Sequence, residues 1–117
     1  AKEPVPGMVL SNVTRAAVAA FSKTMAQEHG SDGITFNTIL TGGVATERFQ
    51  YLVQKQVEST GKTIDEIMET INKSIPCGYV SSPEEFANYI IFIASNEASF
   101  LNGSAIPIDG GASKGIF

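Results

Sequence analysis

His29 and Cys77 are the only histidine and the only cysteine in this 117-residue chain. A catalytic base or nucleophile needs a second group within hydrogen-bond reach, and neither residue has a partner at a spacing that supplies one. His29 falls at the predicted end of a helix, where an imidazole interacts with the helix dipole. Cys77, after Ile75-Pro76, reads as a small buried hydrophobe. No spacing of His, Cys, Asp and Glu suits a metal ion. A lone cysteine cannot close an internal disulfide, which fits a reducing compartment, and the cytoplasm is the expected location.

The elements that would position other chemistry follow from the apolar pattern. Val9, Val13, Ala16, Ala17, Ala20, Phe21 and Met25 recur at helical spacing. The spacing predicts a helix over 10–29, with Gly30 as its left-handed stop. Residues 33–40 are rich in β-branched and aromatic side chains and bounded by glycine, which predicts a short buried strand, and Thr41-Gly42-Gly43 breaks it. From Thr46 a second stripe of Phe49, Leu52, Val53 and Val57 runs to Gly61. Thr63-Ile64-Asp65-Glu66 reads as a capping box opening a third helix. In Ser82-Pro83-Glu84-Glu85 an N-cap serine, a proline at the first helical position and a reciprocal glutamate open a fourth. That helix is apolar on nearly all sides as far as Ser95 and is expected to be buried on more than one face. Residues 104–108 form a last short strand, with Pro107 suited to a sheet edge.

The order α, β, α, α, α, β implies a parallel pair with a right-handed crossover, and hence part of an open α/β sheet. A buried strand over 33–40 needs a neighbour on each side, and only one is available. The bulk numbers exclude other classes. Hydrophobic content of 43% with mean hydropathy +0.07 suits one globular unit. The run Ile90–Ala94 is too short to cross a bilayer. Net charge is -4, and the basic residues are scattered singly, so no nucleic-acid footprint appears.

Several segments, read in order, resemble one family. They are Pro4-Val5-Pro6-Gly7, Arg15-Ala16-Ala17-Val18, residues 33–39, Gly43-Val44-Ala45-Thr46, Ile75-Pro76-Cys77-Gly78 before Ser82-Pro83-Glu84-Glu85, Phe92-Ile93-Ala94-Ser95, Asn102-Gly103 and Ile108-Asp109-Gly110-Gly111. The pattern is similar to the C-terminal half of a short-chain dehydrogenase/reductase, nearest to the 3-oxoacyl carrier-protein reductase-like branch. The resemblance implies the C-terminal part of a Rossmann-type doubly wound parallel sheet with helices on both faces. The whole of 1–117 would be that half of one domain, with 46–74 as its substrate-binding flap. The N-terminal dinucleotide-binding half would lie outside it. It also implies NAD or NADP as cofactor, a small carbonyl or alcohol substrate, and a homo-oligomer, dimer or tetramer, with no nucleic acid or membrane partner. The isolated chain is expected to be inactive.

The family places Tyr-x-x-x-Lys early in the helix that 10–29 would form. Aligned on Arg15-Ala16-Ala17-Val18, the tyrosine position is Ser11 and the lysine position is Arg15. Hydride transfer to a carbonyl needs an acid for the oxygen, which a phenol supplies once a cation lowers its pKa from about 10. An aliphatic hydroxyl is far weaker, so Ser11 could orient a water or donate a hydrogen bond, while Arg15 keeps a permanent charge and several donors. Three readings stand. The first is a reductase whose proton comes from elsewhere, such as Tyr51, Tyr79 or a group outside the chain. The second is a nucleotide-binding or scaffold subunit without turnover. The third makes Ser11 an N-cap and Arg15 a surface charge. The resemblance assigns cofactor contact to Gly43, Val44 and Thr46 as well as Arg15, and Thr46 equally reads as a helix N-cap. Phe49, Leu52, Val53, Ile67 and Met68 of the flap could face an apolar substrate, and core packing accounts for them as well.

Overall fold

The computed structural model describes residues 3–115. In chain order these form α1 (Val9–His29), β1 (Thr38–Thr41), α2 (Glu47–Thr60), α3 (Ile64–Ser74), α4 (Pro83–Ile93) and β2 (Ala105–Ile108), with 3-10 turns at Gly30–Asp32 and Asn96–Ala98. The expected α/β order is therefore present. The N–H of Thr38 donates to the Ser104 carbonyl at 2.8 Å and that of Gly42 to Ile108 at 2.9 Å. Both partners advance by four residues, so β1 and β2 run parallel in a two-stranded sheet.

The chain divides into two compact units. The first holds the described residues up to Leu40, together with Ile90–Pro107 and those from Ser113 on. Its α1 packs through small side chains: Ala26 is buried, and Ala19 and Ser22 on the same face are half-buried. Of the large side chains in the expected apolar stripe only Met25 is half-buried, and the rest lie on the other side. Val9 is 74% exposed, Leu10 78% and Phe21 61%. Helical periodicity reports that a helix forms, and the small residues decide which face is covered here. Gly30 is not the left-handed stop; at φ -61° it carries the chain on into a 3-10 turn. The left-handed residue is Gly33, at φ 76°, whose N–H closes onto the Gly30 carbonyl. His29, as expected, ends the helix, and its Nδ1 lies 3.0 Å from Asp32 Oδ2.

The predicted strand over 33–40 is shortened to Thr38–Thr41, and no residue of it is fully buried. Two asparagines explain the late start. Asn102 Oδ1 accepts the Phe36 N–H at 2.8 Å, and its Nδ2 donates to the Ala26 carbonyl at 3.2 Å. Asn37 Nδ2 donates to the Leu101 carbonyl at 2.7 Å, while its Oδ1 accepts the Ser104 N–H at 3.2 Å. Side-chain amides thus take the place of ladder bonds at 36–37 and at 101–104. The expectation for α4 also fails: none of its residues is buried, and Ile91 is 67% exposed. Among the described residues no helix is long and apolar enough to cross a membrane.

The second unit runs over Thr41–Tyr89 and Ile108–Ala112. Here the cap signals in the sequence appear as read. Thr46 caps α2, accepting the Phe49 N–H, and the helix closes at Gly61. Thr63 and Glu66 form the full reciprocal capping box of α3. The two helices pack together, with Val53 and Ile67 buried and Phe49, Val57 and Met68 half-buried. Core packing therefore describes these residues, while Leu52 stays exposed.

Asn102→Ala strands the Phe36 N–H and the Ala26 carbonyl at a part-buried position, and each orphaned group costs about 1–3 kcal/mol. Its urea midpoint is expected to fall clearly. Lys73→Ala, which removes only an exposed ion pair with Glu69, should stay within about 0.5 kcal/mol of the parent.

Candidate active site

Ser11 and Arg15 stand one turn apart in α1. The Arg15 Nε–H donates to Ser11 Oγ at 3.1 Å, so the two side chains share one helical face as their spacing requires. Ser11 is not the helix N-cap. The cap position is Met8, which makes no side-chain cap bond. The start of the helix is secured instead by Asn12. Its Oδ1 accepts the Val5 N–H at 3.1 Å and its Nδ2 donates to the Val5 carbonyl at 2.9 Å. The reading of Ser11 as a cap is thereby corrected, and its hydroxyl is left paired with a guanidinium.

Gly43, Val44 and Thr46 belong to the second unit and lie just past the carboxyl end of β1. Val44 forms a parallel bridge with Ser81. The bridge uses the flanking groups: the Ser81 N–H donates to the Gly43 carbonyl at 3.1 Å, and the Ala45 N–H to the Ser81 carbonyl at 2.9 Å. In such a bridge the N–H of Val44 itself points away from Ser81. Its carbonyl accepts the Thr46 N–H at 2.8 Å. Thr46 Oγ1 caps α2 and can still donate its own proton. Gly42 is required by space, since an added Cβ would lie 2.4 Å from the Asp109 Cα. Gly42 also uses its N–H toward Ile108, a bond proline cannot make.

A shallow cavity of about 80 Å³ is lined by Gly43 with Tyr79, Ser81, Glu85 and Asp109, among others. Two of its hydroxyls converge on the Glu85 carboxylate. Tyr79 Oη donates to Glu85 Oε1 at 2.6 Å, and Ser81 Oγ to Glu85 Oε2 at 2.9 Å. Ser82 Oγ accepts the Glu85 N–H at 3.0 Å, as an N-cap should. The carboxylate accepts from Tyr79 and Ser81, and the Ser82 backbone also helps to lower its pKa. The reciprocal half of the expected capping box is thus mostly redirected, which sequence spacing could not show. Tyr79 and Ser81 in turn hold the Glu85 carboxyl below its ordinary value, and hydrogen bonding to Glu85, with its negative charge, raises the Tyr79 phenol. A phenol so held is a poorer acid. Tyr51 stands elsewhere on α2, with Arg48 5.4 Å and Lys55 5.8 Å from its ring centre.

Cys77 is exposed, which corrects the expectation of burial. Among the described residues no group of His, Cys, Asp and Glu gathers that could hold a metal.

Comparison with known proteins decides the family. A family model described as enoyl-(acyl carrier protein) reductase matches residues 1–113. The chain belongs to the short-chain dehydrogenase/reductase family. It is 36% identical over 97 residues to the short-chain reductase protein NovJ of Streptomyces niveus, covering 83% of this chain and 36% of that protein. It is 33% identical over 115 residues to the NADPH-dependent reductase BacG of Bacillus subtilis, covering 98% of this chain and 44% of that one. Its fold matches L-sorbose reductase from Gluconobacter frateurii, solved with NADPH and L-sorbose. There the TM-score is 0.82 and the identity 33%, over 90% of this chain and 40% of that one. The chain spans less than half the length of each of these short-chain dehydrogenase relatives.

Gly42→Ala should lower stability by about 1–3 kcal/mol, because the new methyl meets backbone rather than a movable side chain. Gly43→Ala, whose Cβ would sit 3.6 Å from Val80, should be nearly neutral. Denaturant titration of both variants separates the two cases. The phenol–carboxylate pair gives a pH prediction. A raised phenol pKa contributes stability that is present below about 10 and lost as pH rises through its folded value. A lowered carboxyl contributes stability that is present above about 4.3 and lost as pH falls through its folded value. Tyrosinate absorbance at 295 nm should therefore show Tyr79 ionising late, and Glu85→Gln should bring that step back toward 10.

Proposed function

We propose that this chain carries the nicotinamide-side loop and the proton-handling helix of an NAD(P)-dependent reductase acting on a small carbonyl or alcohol. It would form the C-terminal half of one Rossmann-type domain, with residues 46–74 as the substrate flap. The observation that supports this most is the loop at Gly43–Thr46. It lies at the carboxyl end of a parallel strand, where ligands of open α/β sheets bind. It is held from one side by Ser81, with the Val44 N–H turned to the other. Kinship to an NADPH-dependent reductase and to a reductase solved with NADPH supports the cofactor.

The residues fit such a group. The Val44 N–H and the Thr46 hydroxyl suit the carboxamide of a nicotinamide. Arg15 spends one of its five N–H donors on Ser11 and keeps the others for ribose hydroxyls. When bound, the nicotinamide supplies or accepts the hydride. Reduction then places a hydride on the carbonyl carbon and a proton on its oxygen. Ser11, with its oxygen engaged by Arg15, keeps its hydroxyl proton for a hydrogen bond to that oxygen or to a water that delivers the proton. Tyr79, committed to Glu85, is not the donor in this reading.

The second reading, a nucleotide-binding subunit without turnover, rests on the Ser11–Arg15 pair itself, since neither group is an acid of phenol strength. A titration of the whole subunit with NADPH and a panel of small ketones separates the two. Cofactor-dependent reduction supports the enzyme, and tight binding without turnover supports the second reading. A Ser11→Tyr, Arg15→Lys variant that gains activity would also support the second. The isolated 117-residue chain should show no turnover.

The same reading includes a dimer or tetramer and a cytoplasmic location. The exposed stripe of Val9, Leu10, Val13 and Phe21 on α1, with Ile91 and Phe92 on α4, supports self-association. Light scattering at micromolar concentration should report an oligomer, and a monodisperse monomer would contradict it.

A further inference from the structure

The cavity beneath the Gly43–Thr46 loop contains a group that the proposed reaction does not use. Glu85 enters α4 as the residue whose N–H is capped by Ser82. Its carboxylate nevertheless reaches back over the preceding turn, taking the Tyr79 hydroxyl on one oxygen at 2.6 Å and the Ser81 hydroxyl on the other at 2.9 Å. Ser81 is the residue whose backbone carries both bonds to the loop, from its N–H to the Gly43 carbonyl and from the Ala45 N–H to its carbonyl. The chain of contact is short: Glu85 fixes the side chain of Ser81, and the main chain of Ser81 fixes Gly43 and Ala45 on either side of Val44.

From this geometry we infer that Glu85 is a positioning residue for the loop, with Tyr79 as its brace. It touches neither substrate nor cofactor in this scheme. It sets where the Val44 N–H points by holding residues 79–81 in register with 43–45. The hydrogen bonds are charge-assisted, which makes them roughly twice as strong as neutral ones. Two donors on separate oxygens also fix the plane of the carboxylate, which a single bond would leave free to turn. Packing backs the loop from below, since a Cβ on Gly43 would lie 3.6 Å from Val80 and 3.7 Å from Ile75. The main-chain bridge is thus the directional restraint on the loop, and Glu85 is what tightens it. The inference rests on the reading of Gly43–Thr46 as the nicotinamide loop, and its test separates the two.

Amide hydrogen exchange by NMR on the whole subunit, before any cofactor is added, reads the clasp. Glu85→Gln should speed exchange at Ala45 and Ser81 about tenfold, the scale of one or two lost hydrogen bonds. The Ile67 amide in α3, bonded to the Thr63 carbonyl, should not change. Tyr79→Phe and Ser81→Ala each remove one arm and should give smaller increases at the same two amides, which keeps the test open if Glu85→Gln fails to fold. Unchanged exchange at Ala45 and Ser81, or an equal rise at Ile67, overturns the clasp. In the whole subunit, nicotinamide fluorescence should then show NADPH bound about tenfold more weakly by Glu85→Gln, and the conservative Tyr79→Phe change should lose less. A local exchange effect with no NADPH binding by the unaltered subunit would overturn the cofactor reading and leave the clasp standing.

Discussion

Two asparagine side chains hold the first unit together where backbone pairing runs out. A strand of four residues beside another of four supplies few ladder bonds, and a two-stranded sheet is marginal by itself in water. Asn37 and Asn102 extend the pairing with side-chain amides at both ends of the turn that precedes β2, and Asn102 ties that turn to the Ala26 carbonyl at the back of α1. The Gly103 N–H completes the set by donating to the Phe36 carbonyl at 2.8 Å. These bonds reinforce the register that the short ladder sets between β1 and β2. That register in turn sets where β1 ends and the loop after it begins.

The course of the loop is set first by close backbone approach. Gly42 lies so near Asp109 that any Cβ would collide, and its N–H is already spent on Ile108. The chain beyond it turns into a bridge with Ser81 and then into the Thr46 cap of α2. A rigid strand end, a glycine without room to spare and a capped helix start together leave the three residues between them little freedom. This is the condition for holding donors in place for a ligand.

Much of this architecture was legible in the residues, and the parts that were not share a cause. The starts of α2 and α3 could be read because caps are local: Thr46, Thr63 and Glu66 act within one turn of themselves. The face that α1 covers could not be read, because periodicity marks an apolar stripe without saying what meets it, and here Ala19, Ser22 and Ala26 meet the rest of the unit instead. The strand over 33–40 was read too long because the bonds that replace its ladder come from Asn102, more than sixty residues away in sequence. The N-cap role of Ser82 is legible and the Glu85 N–H bears it out, while the reciprocal role expected of the Glu85 carboxylate gives way to a phenol and a hydroxyl upstream. Non-local hydrogen bonds by polar side chains are what single-sequence patterns omit.

In the proposed reading, Ser11 and Arg15 together make a more coherent pair than either residue would beside the family's usual partner. A lysine beside a phenol works by lowering the phenol's pKa through a compact charge. With the phenol gone that task disappears, and a serine hydroxyl is too weak an acid for a neighbouring ammonium to make it comparable. A guanidinium offers directional donors, and here one of them is placed on the serine oxygen at 3.1 Å. The result is a hydroxyl whose oxygen is engaged by a permanent cation. Such a pair binds and orients an oxygen well, and it leaves the proton to come from outside the pair. In the proposed reading the pair would therefore separate two functions that a Tyr-x-x-x-Lys arrangement combines, polarising the carbonyl and protonating it, and would retain the first.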